Sequence, residues 1–412
     1  MQEPKYNDYF PLQEYENRLA RIRAEMQREG MDAMLLSTEP NLLYFTGFLN
    51  GYWICTLHDD VQLALVEADS RATPVLLIPT HLQQAAQTSC VDELRTWTQF
   101  TGGASKGPVA TVADAFADRS LSKARIGMEI GAHDRPGMSI PFFTALQAAL
   151  PSVQWVEANA AINRVRKIKS ELEIEKMRAA CSITCQAVHV GLDAIKIGMR
   201  EKELAQIVAL EMARLSPDVS VNHPWFLFIF ASGRGTTAFD GVATSYAFQP
   251  GDLVYIDVGF QYQGYGADMI RCASIGKPDP EVERHYYAAR DSNMAAIDFI
   301  RPGIKGKDLY FYWVEQVRRL GFSEALKVRE TFDWDFLGHG IGGTIHELPL
   351  IDSRCEDLLE PGMVMAIEGD MFDKLPFSKT RCALKNEEDV LVTESGHEWL
   401  TPLDNDLRIV ED

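Results

Sequence analysis

The sequence lacks any uninterrupted run of about 20 apolar residues, the length that a helix needs to cross a bilayer. Its first ten residues also lack a basic segment followed by an apolar run, so we expect no signal peptide. The chain has only 7 cysteines, an odd number, and they are scattered without a CxxC pair. Such a pattern indicates reduced, mostly buried thiols. We therefore predict a cytoplasmic protein.

Basic residues are few, with 40 Lys and Arg against 59 Asp and Glu, which gives a net charge of −19. A surface this acidic repels phosphate backbones and anionic lipids, so we predict no nucleic-acid partner and no membrane partner. The acidity is most simply explained by solubility. An apolar fraction of 46% is ordinary for a globular protein, and 412 residues suggest two domains.

The first third of the chain alternates helical and strand-like patterns. Apolar side chains recur at three- and four-residue steps from Leu12 to Met26, which predicts an amphipathic helix. Strands are expected at the apolar runs Ala33–Leu36, Leu63–Val66, Pro74–Ile78, Ile126–Ile130 and Val153–Val156. Alternating strands and helices predict an α/β domain.

A basic connector at residues 163–170 marks the predicted domain boundary, which gives domains of residues 1–162 and 163–412. Ser170 and Glu173 then form a predicted capping box at the start of a long helix. After Phe226 the pattern changes to strands with helical insertions.

Four carboxylates and one imidazole lie in recognisable short motifs spaced along this second domain. They are Asp257, Asp268, His339, Glu368 and Glu387. Oxygen ligands with a little nitrogen suit divalent metals. Two such metals about 3.5–4 Å apart can share a hydroxide and polarise a carbonyl. The sequence therefore predicts a metal-dependent enzyme.

The first two carboxylates are expected to lie close together. Residues 252–259 alternate in polarity, and a turn at Gln261–Gly264 leads into a returning strand through Asp268. We therefore expect Asp257 and Asp268 to be cross-strand neighbours, with Cβ atoms about 4.5–5.5 Å apart.

The order of these residues and their flanking motifs resembles the pita-bread metallopeptidase family, which includes methionine aminopeptidase, Xaa-Pro aminopeptidase, prolidase and creatinase. The matching motifs are Gly338-His339-Gly340-Ile341-Gly342, the following His346-Glu347, and the segment from Glu387 to Thr393. The connector at 166–170 and the segment at 41–48 resemble the creatinase/prolidase subgroup, so the likeness spans nearly the whole chain. It implies an α+β pita-bread catalytic domain preceded by a smaller α/β creatinase-type N-terminal domain.

The resemblance also implies roles for individual residues. The five side chains named above would bind two divalent metal ions: manganese, cobalt, iron or zinc. Glu368 would also take a proton from the bridging water, and His346 would face the substrate near the developing oxyanion. Relatives with this N-terminal domain are usually homodimers, in which Tyr52 and Trp53 could close the partner's pocket or simply pack.

One departure from the family leaves the reaction open. Peptidase members carry a substrate-contacting histidine about 17 or 18 residues before the first aspartate, whereas the segment Ala238–Val242 has none. Either Asp240 or His223 substitutes for it, with Asp240 as a catalytic candidate, or the chemistry is not peptide cleavage.

The leading hypothesis is a dinuclear-metal hydrolase resembling Xaa-Pro peptidases, in which a metal-bridging hydroxide cleaves a C–N bond of a dipeptide or small amide. The first alternative is a metal-dependent lyase of a small carboxylate, similar to dimethylsulfoniopropionate lyases, with Asp240 or Glu368 as the base. Others are a non-peptide amidohydrolase of the creatinase or ectoine hydrolase kind, and a non-enzymatic binding module.

Overall fold

A computed structural model describes residues 9–49, 61–98, 107–131, 136–217, 225–234, 242–330, 335–373 and 382–411. The chain divides into two compact units, Met1–Arg166 and Lys167–Asp412. None of the helices in these described ranges is both long enough and apolar enough to cross a membrane.

The first unit is built on a mixed six-stranded sheet with the order β4-β3-β2-β1-β5-β6. Its helices are α1 (Leu12–Glu29), α2 (Glu39–Thr46), α3 (Pro108–Asp118), α4 (Ile140–Ala149) and α5 (Asn159–Arg166). Its strands are β1 (Ala33–Leu36), β2 (Leu63–Glu67), β3 (Val75–Pro79), β4 (Glu93–Trp97), β5 (Arg125–Met128) and β6 (Gln154–Glu157). Met34 and Leu36 of β1 join one apolar cluster and Ala33 and Leu35 join another, so both faces of the sheet are covered. The predicted α/β domain is confirmed.

The predicted boundary after residue 162 falls inside α5, whereas the two units divide after Arg166. Helix α5 packs against α1, where Arg164 forms ion pairs with Glu25 and Glu29. The basic residues that suggested an exposed connector therefore belong partly to a helix of the first unit.

The second unit combines helices with two larger sheets, ordered β19-β11-β8-β7 and β13-β12-β14-β17-β18. Its helices are α6 (Glu171–Ala194), α7 (Glu201–Leu215), α8 (Pro280–Phe299), α9 (Gly306–Arg319) and α10 (Ser323–Glu330). Its strands before α8 are β7 (Phe226–Ala231), β8 (Leu253–Gly259), β9 (Gln261–Tyr262), β10 (Tyr265–Gly266) and β11 (Met269–Ile275). The later strands are β12 (Phe336–Gly340), β13 (Glu347–Asp352), β14 (Val364–Ile367), β15 (Met371–Asp373), β16 (Cys382–Leu384), β17 (Glu388–Val392), β18 (His397–Trp399) and β19 (Arg408–Val410).

Strand β8 is buried on both faces. Val254 and Ile256 pack in an apolar cluster with residues of α6 and α7, whereas Tyr255 packs in a second cluster with residues of α8 and α9. This α+β arrangement agrees with the pita-bread fold that the resemblance implied.

Helix α6 begins with the predicted capping box. The Glu173 N–H donates to Ser170 Oγ at 3.3 Å, and the Ser170 N–H donates to Glu173 Oε2 at 2.8 Å. The Tyr265 hydroxyl donates to Glu173 at 2.7 Å, which ties the first turn of α6 to β10.

The register between β8 and β11 differs from the expected one. Asp257 is paired with Ile270, and Val258 with Met269. Asp268 therefore shares a face with Asp257 but lies two positions along the partner strand, so the two are diagonal rather than directly opposed. The cause is a two-residue turn at Gln263–Gly264, which joins the pair Tyr262 and Tyr265 and sets the register of the whole hairpin.

Candidate metal centre

The two larger sheets bring the five predicted ligands into one buried region. Asp257 lies on β8 and Asp268 immediately precedes β11, whereas His339, Glu368 and Glu387 belong to β12 or to the residues next to β14 and β17. A bridge between Ile270 and Glu387 joins the two sheets at this point. All five side chains are buried.

The imidazole of His339 is held in one orientation. Its Nδ1 lies 3.0 Å from the carbonyl oxygen of Gly340, and a carbonyl only accepts, so Nδ1 carries the proton. In the neutral ring, Nε2 then directs a lone pair toward Glu368 Oε1 at 3.4 Å and Asp268 Oδ2 at 3.9 Å. A lone pair facing two carboxylates is unfavourable unless a cation lies between them, which is the usual situation of a metal-binding histidine.

The carboxylates also need a cation. Burial, together with the charges of Asp257 and Glu368, raises the pKa of Asp268 well above its usual range. Burial and the same kind of repulsion raise the pKa of Glu387. Burial alone would raise the pKa of Glu368 as well, but nearby positive charge, including that of Lys385, outweighs burial and lowers it. Carboxylates crowded in this way cannot all ionise without further positive charge.

Two overlapping sets of ligand atoms have dimensions that fit a metal ion. Asp268, His339 and Glu387 offer one atom each within 4.8 Å of one another, and so do His339, His346 and Glu368. Within the described residues, Asp268 Oδ1, His339 Nε2 and Glu387 Oε1 are buried without a hydrogen-bond partner. Unsatisfied oxygen and imidazole donors at this spacing fit divalent cations.

Arg271 of β11 anchors the segment that carries Glu387. Its guanidinium forms a buried ion pair with Glu388 at 2.8 Å and donates to the carbonyl oxygens of Glu387 at 3.0 Å and Leu403 at 2.8 Å. The position of one ligand in the second sheet is therefore fixed by a residue of the first.

Asp389 supports Asp268 in a similar way. Its Oδ2 accepts the backbone N–H of Asp268 at 2.9 Å and the thiol of Cys181 at 3.4 Å. Burial raises the pKa of Asp389 to about 7. The carboxylate of Asp389 therefore holds the backbone of the predicted ligand Asp268 in place.

His346 lies at the exposed edge of the region. Its ring centroid is 4.2 Å from that of His339, and the two rings are nearly perpendicular. The segment that carries it is held by the buried ion pair of Lys169 and Glu347 at 3.1 Å and by the Gly266 N–H, which donates to the Gly342 carbonyl at 2.9 Å. The expected contact of His346 with substrate stays a prediction.

The remaining residues singled out in the sequence analysis are Asp240, His223, Tyr52 and Trp53. All of them lie outside the described residues. Their assignments, including that of Asp240 as a catalytic residue, stay predictions.

Sequence analysis missed two charged residues next to the ligands, Lys385 and Asp370. Lys385 Nζ lies 3.8 Å from Asp257 Oδ2 and 3.5 Å from Asp370 Oδ2. Each stands two residues from a predicted ligand, Lys385 before Glu387 and Asp370 after Glu368. A two-residue spacing puts extended residues on one face, so this spacing was the available signal.

The sequence is similar to known peptidases along most of its length. It is 26% identical over 396 residues to an Xaa-Pro dipeptidase of Lactobacillus helveticus, covering 95% of this chain and 98% of that protein. It is 32% identical over 247 residues to an Xaa-Pro dipeptidase of Pyrococcus furiosus, covering 60% of this chain and 66% of that one.

Solved structures share the fold. The crystal structure of dipeptidase PepE from Mycobacterium ulcerans matches with a TM-score of 0.81 at 22% identity, covering 98% of this chain and 100% of that chain. A dipeptidase from Pyrococcus horikoshii OT3 matches with a TM-score of 0.80 at 23% identity, covering 95% and 100%.

Family profiles account for both units. Residues 18–168 match the creatinase/prolidase N-terminal domain, and residues 175–394 match metallopeptidase family M24. Membership of a metallopeptidase family implies divalent metal ions, which agrees with the buried carboxylates and imidazole described above. The chain belongs to metallopeptidase family M24, in its creatinase/prolidase branch.

Proposed function

We propose that this protein hydrolyses the C–N bond of Xaa-Pro dipeptides with two divalent metal ions. The observation that carries the proposal is the buried cluster in which Asp268, His339 and Glu387 offer ligand atoms within 4.8 Å of one another, with the charges of Asp257 and Glu368 beside them. The near full-length similarity to an Xaa-Pro dipeptidase supports the substrate class. The homodimer and the cytoplasmic location expected from the sequence remain part of the proposal.

Asp257, Asp268, His339, Glu368 and Glu387 would hold the ions. When bound, divalent cations polarise a carbonyl group and lower the pKa of water. Manganese, cobalt, iron and zinc all suit such a donor set.

Glu368 would move the proton. Its lowered pKa keeps the carboxylate ionised, so it would accept a proton from water and return it to the leaving amine. The burial of Glu368 limits the number of waters that compete with it. His346, at the exposed edge, would donate a hydrogen bond to the oxygen of a bound amide.

The proposal is tested with variants of the two central residues. We expect Glu368→Gln to lower kcat for release of proline from an Xaa-Pro dipeptide by at least about 10²-fold, because the amide cannot accept a proton. His339→Ala should lower kcat similarly, because it removes the imidazole donor from the cluster of Asp268, His339 and Glu387. Both variants should keep the circular dichroism spectrum of the parent.

The matched control is Glu394→Gln, the same substitution at an exposed carboxylate, which should leave the rate unchanged. Full activity in Glu368→Gln would overturn the proposal. Release of a small product from dimethylsulfoniopropionate, with no proline from any dipeptide, would assign the protein to the lyase alternative.

A further inference from the structure

A buried ammonium group lies among the carboxylates of the candidate metal centre. The Lys385 side chain is 4% exposed, and its neighbour Asp370 is 0% exposed. The distances of 3.5 Å to Asp370 Oδ2 and 3.8 Å to Asp257 Oδ2 are too long for good charge-assisted hydrogen bonds. The ammonium therefore lies between these two anions, and Glu368 and Glu387 also attract it.

Asp257 differs from the other predicted ligands in its surroundings. It belongs to neither of the two ligand sets whose atoms fall within 4.8 Å of one another, whereas His339 belongs to both. The cation that lies near Asp257 in the described structure is Lys385. One side of the centre is thus arranged around an imidazole, and the other around an ammonium.

An ammonium and a divalent ion repel each other, and both are attracted to the same carboxylate. In a buried region this competition is screened only weakly. Asp370 draws the ammonium away from Asp257, since its Oδ2 is the nearer of the two carboxylate oxygens.

We propose that Lys385 is a resident cation that competes with a divalent metal ion for Asp257, and that Asp370 moderates this competition by sharing the ammonium. The inference rests on the proposed function, since it takes the cluster to be a metal centre. The position that uses Asp268, His339 and Glu387 then fills first, and the position that uses Asp257 fills with lower affinity. Lys385 and Asp370 are positioning residues that act through Asp257.

Two substitutions should change the dissociation constant of the more weakly bound Mn²⁺ in opposite directions. Lys385→Met removes the competitor, so the dissociation constant of the second Mn²⁺ should fall by about tenfold or more, the size typical of changes next to metal ligands. Asp370→Asn removes the nearer of the two carboxylates, so Asp257 attracts the ammonium with less competition and the same constant should rise. Both constants are measured by calorimetric titration of metal-free protein with Mn²⁺, with bound metal counted by mass spectrometry.

The matched control is Lys167→Met. Lys167 is a partly buried lysine that pairs with Asp357 at 2.9 Å instead of a predicted metal ligand. We expect this variant to leave the ratio of the two Mn²⁺ dissociation constants unchanged. If Lys385→Met does not fold, Lys385→Gln and Asp370→Asn still supply the two opposite signs.

The outcomes separate this inference from the proposed function. Opposite shifts of the second constant in the two variants support it. Two-step binding whose ratio is unchanged by both variants would make the Lys385–Asp370 pair a purely structural ion pair and overturn the inference, leaving the metal centre in place. Absence of uptake of Mn²⁺, Co²⁺, Fe²⁺ and Zn²⁺ alike by the parent protein would overturn the inference and the proposed function together.

Discussion

At the residue scale, the centre depends on positive charge that the protein itself supplies only in part. The Nδ1 proton of His339 is committed to Gly340, so its Nε2 faces carboxylates as an acceptor. Lys385 contributes one permanent positive charge among several buried carboxylates. The site is consequently charge-deficient without metal, and its metal-free form should respond to pH in a way that a filled site does not.

The pH dependence of stability at Asp389 tests whether the metal-free centre lacks positive charge. Burial raises the pKa of Asp389 to about 7, far above the usual range of an aspartate, so the folded protein holds a proton that the unfolded chain releases. Its contribution to stability is present below the unfolded pKa and is lost as pH rises toward 7. We expect the free energy of unfolding of the metal-free parent to fall relative to that of Asp389→Asn between pH 4 and 7, by on the order of 4 kcal/mol.

This difference is measured by urea unfolding at several pH values with a chelator present. Parallel stability curves for the parent and Asp389→Asn would contradict the assignment. Added Mn²⁺ should reduce the pH dependence, because a bound ion favours the ionised carboxylates.

The intervals and neighbouring glycines that suggested the five ligands are local features of the chain, so they could be recognised in the sequence. Lys385 and Asp370 could not be paired in this way. Their contact lies at the end of the pairing between β15 and β16, in which Met371 is opposite Leu384, although each residue lies two positions from a predicted ligand. The spacing of Lys385 and Asp370 from the predicted ligands does not show which residue of the neighbouring strand each one contacts, because that depends on the strand register.

At the element scale, the hairpin from β8 to β11 determines how the two aspartates face each other. Polar alternation correctly predicted the shared face, but the register was wrong because the turn was taken to include Gln261 and Tyr262. In the structure these residues form β9, and the turn is Gln263–Gly264, with φ values of 48° and 86°. Positive φ at both positions is typical of the two-residue turns that match strand twist.

Gly264→Ala tests the importance of this turn. An L side chain at φ 86° is strained, so we expect a loss of about 1–2 kcal/mol in the free energy of unfolding. The measurement is urea unfolding of the metal-free protein. Gly396→Ala is the control, because a Cβ at that position meets nothing within 4 Å. Equal stability of the two variants would show that the turn carries no strain and does not set the register.

At the scale of the whole molecule, the order of an α/β unit before an α+β unit was predictable, because helical and strand periodicities differ over long segments. The exact boundary between the two units was harder to predict. The basic residues taken as a connector include Arg164, whose ion pairs to Glu25 and Glu29 of α1 form only in the folded unit. Likewise, the reaction could not be read from composition, since substrate choice depends on the side chains that surround the metal centre.

The central claim is that this member of metallopeptidase family M24 cleaves Xaa-Pro dipeptides with bound metal. The most direct test is the rate of proline release from an Xaa-Pro dipeptide by chelator-treated protein, before and after addition of Mn²⁺, with bound metal counted in the same samples. The account predicts no release from the metal-free protein and recovery of turnover as two ions bind. Two bound ions per chain without release of proline would contradict it.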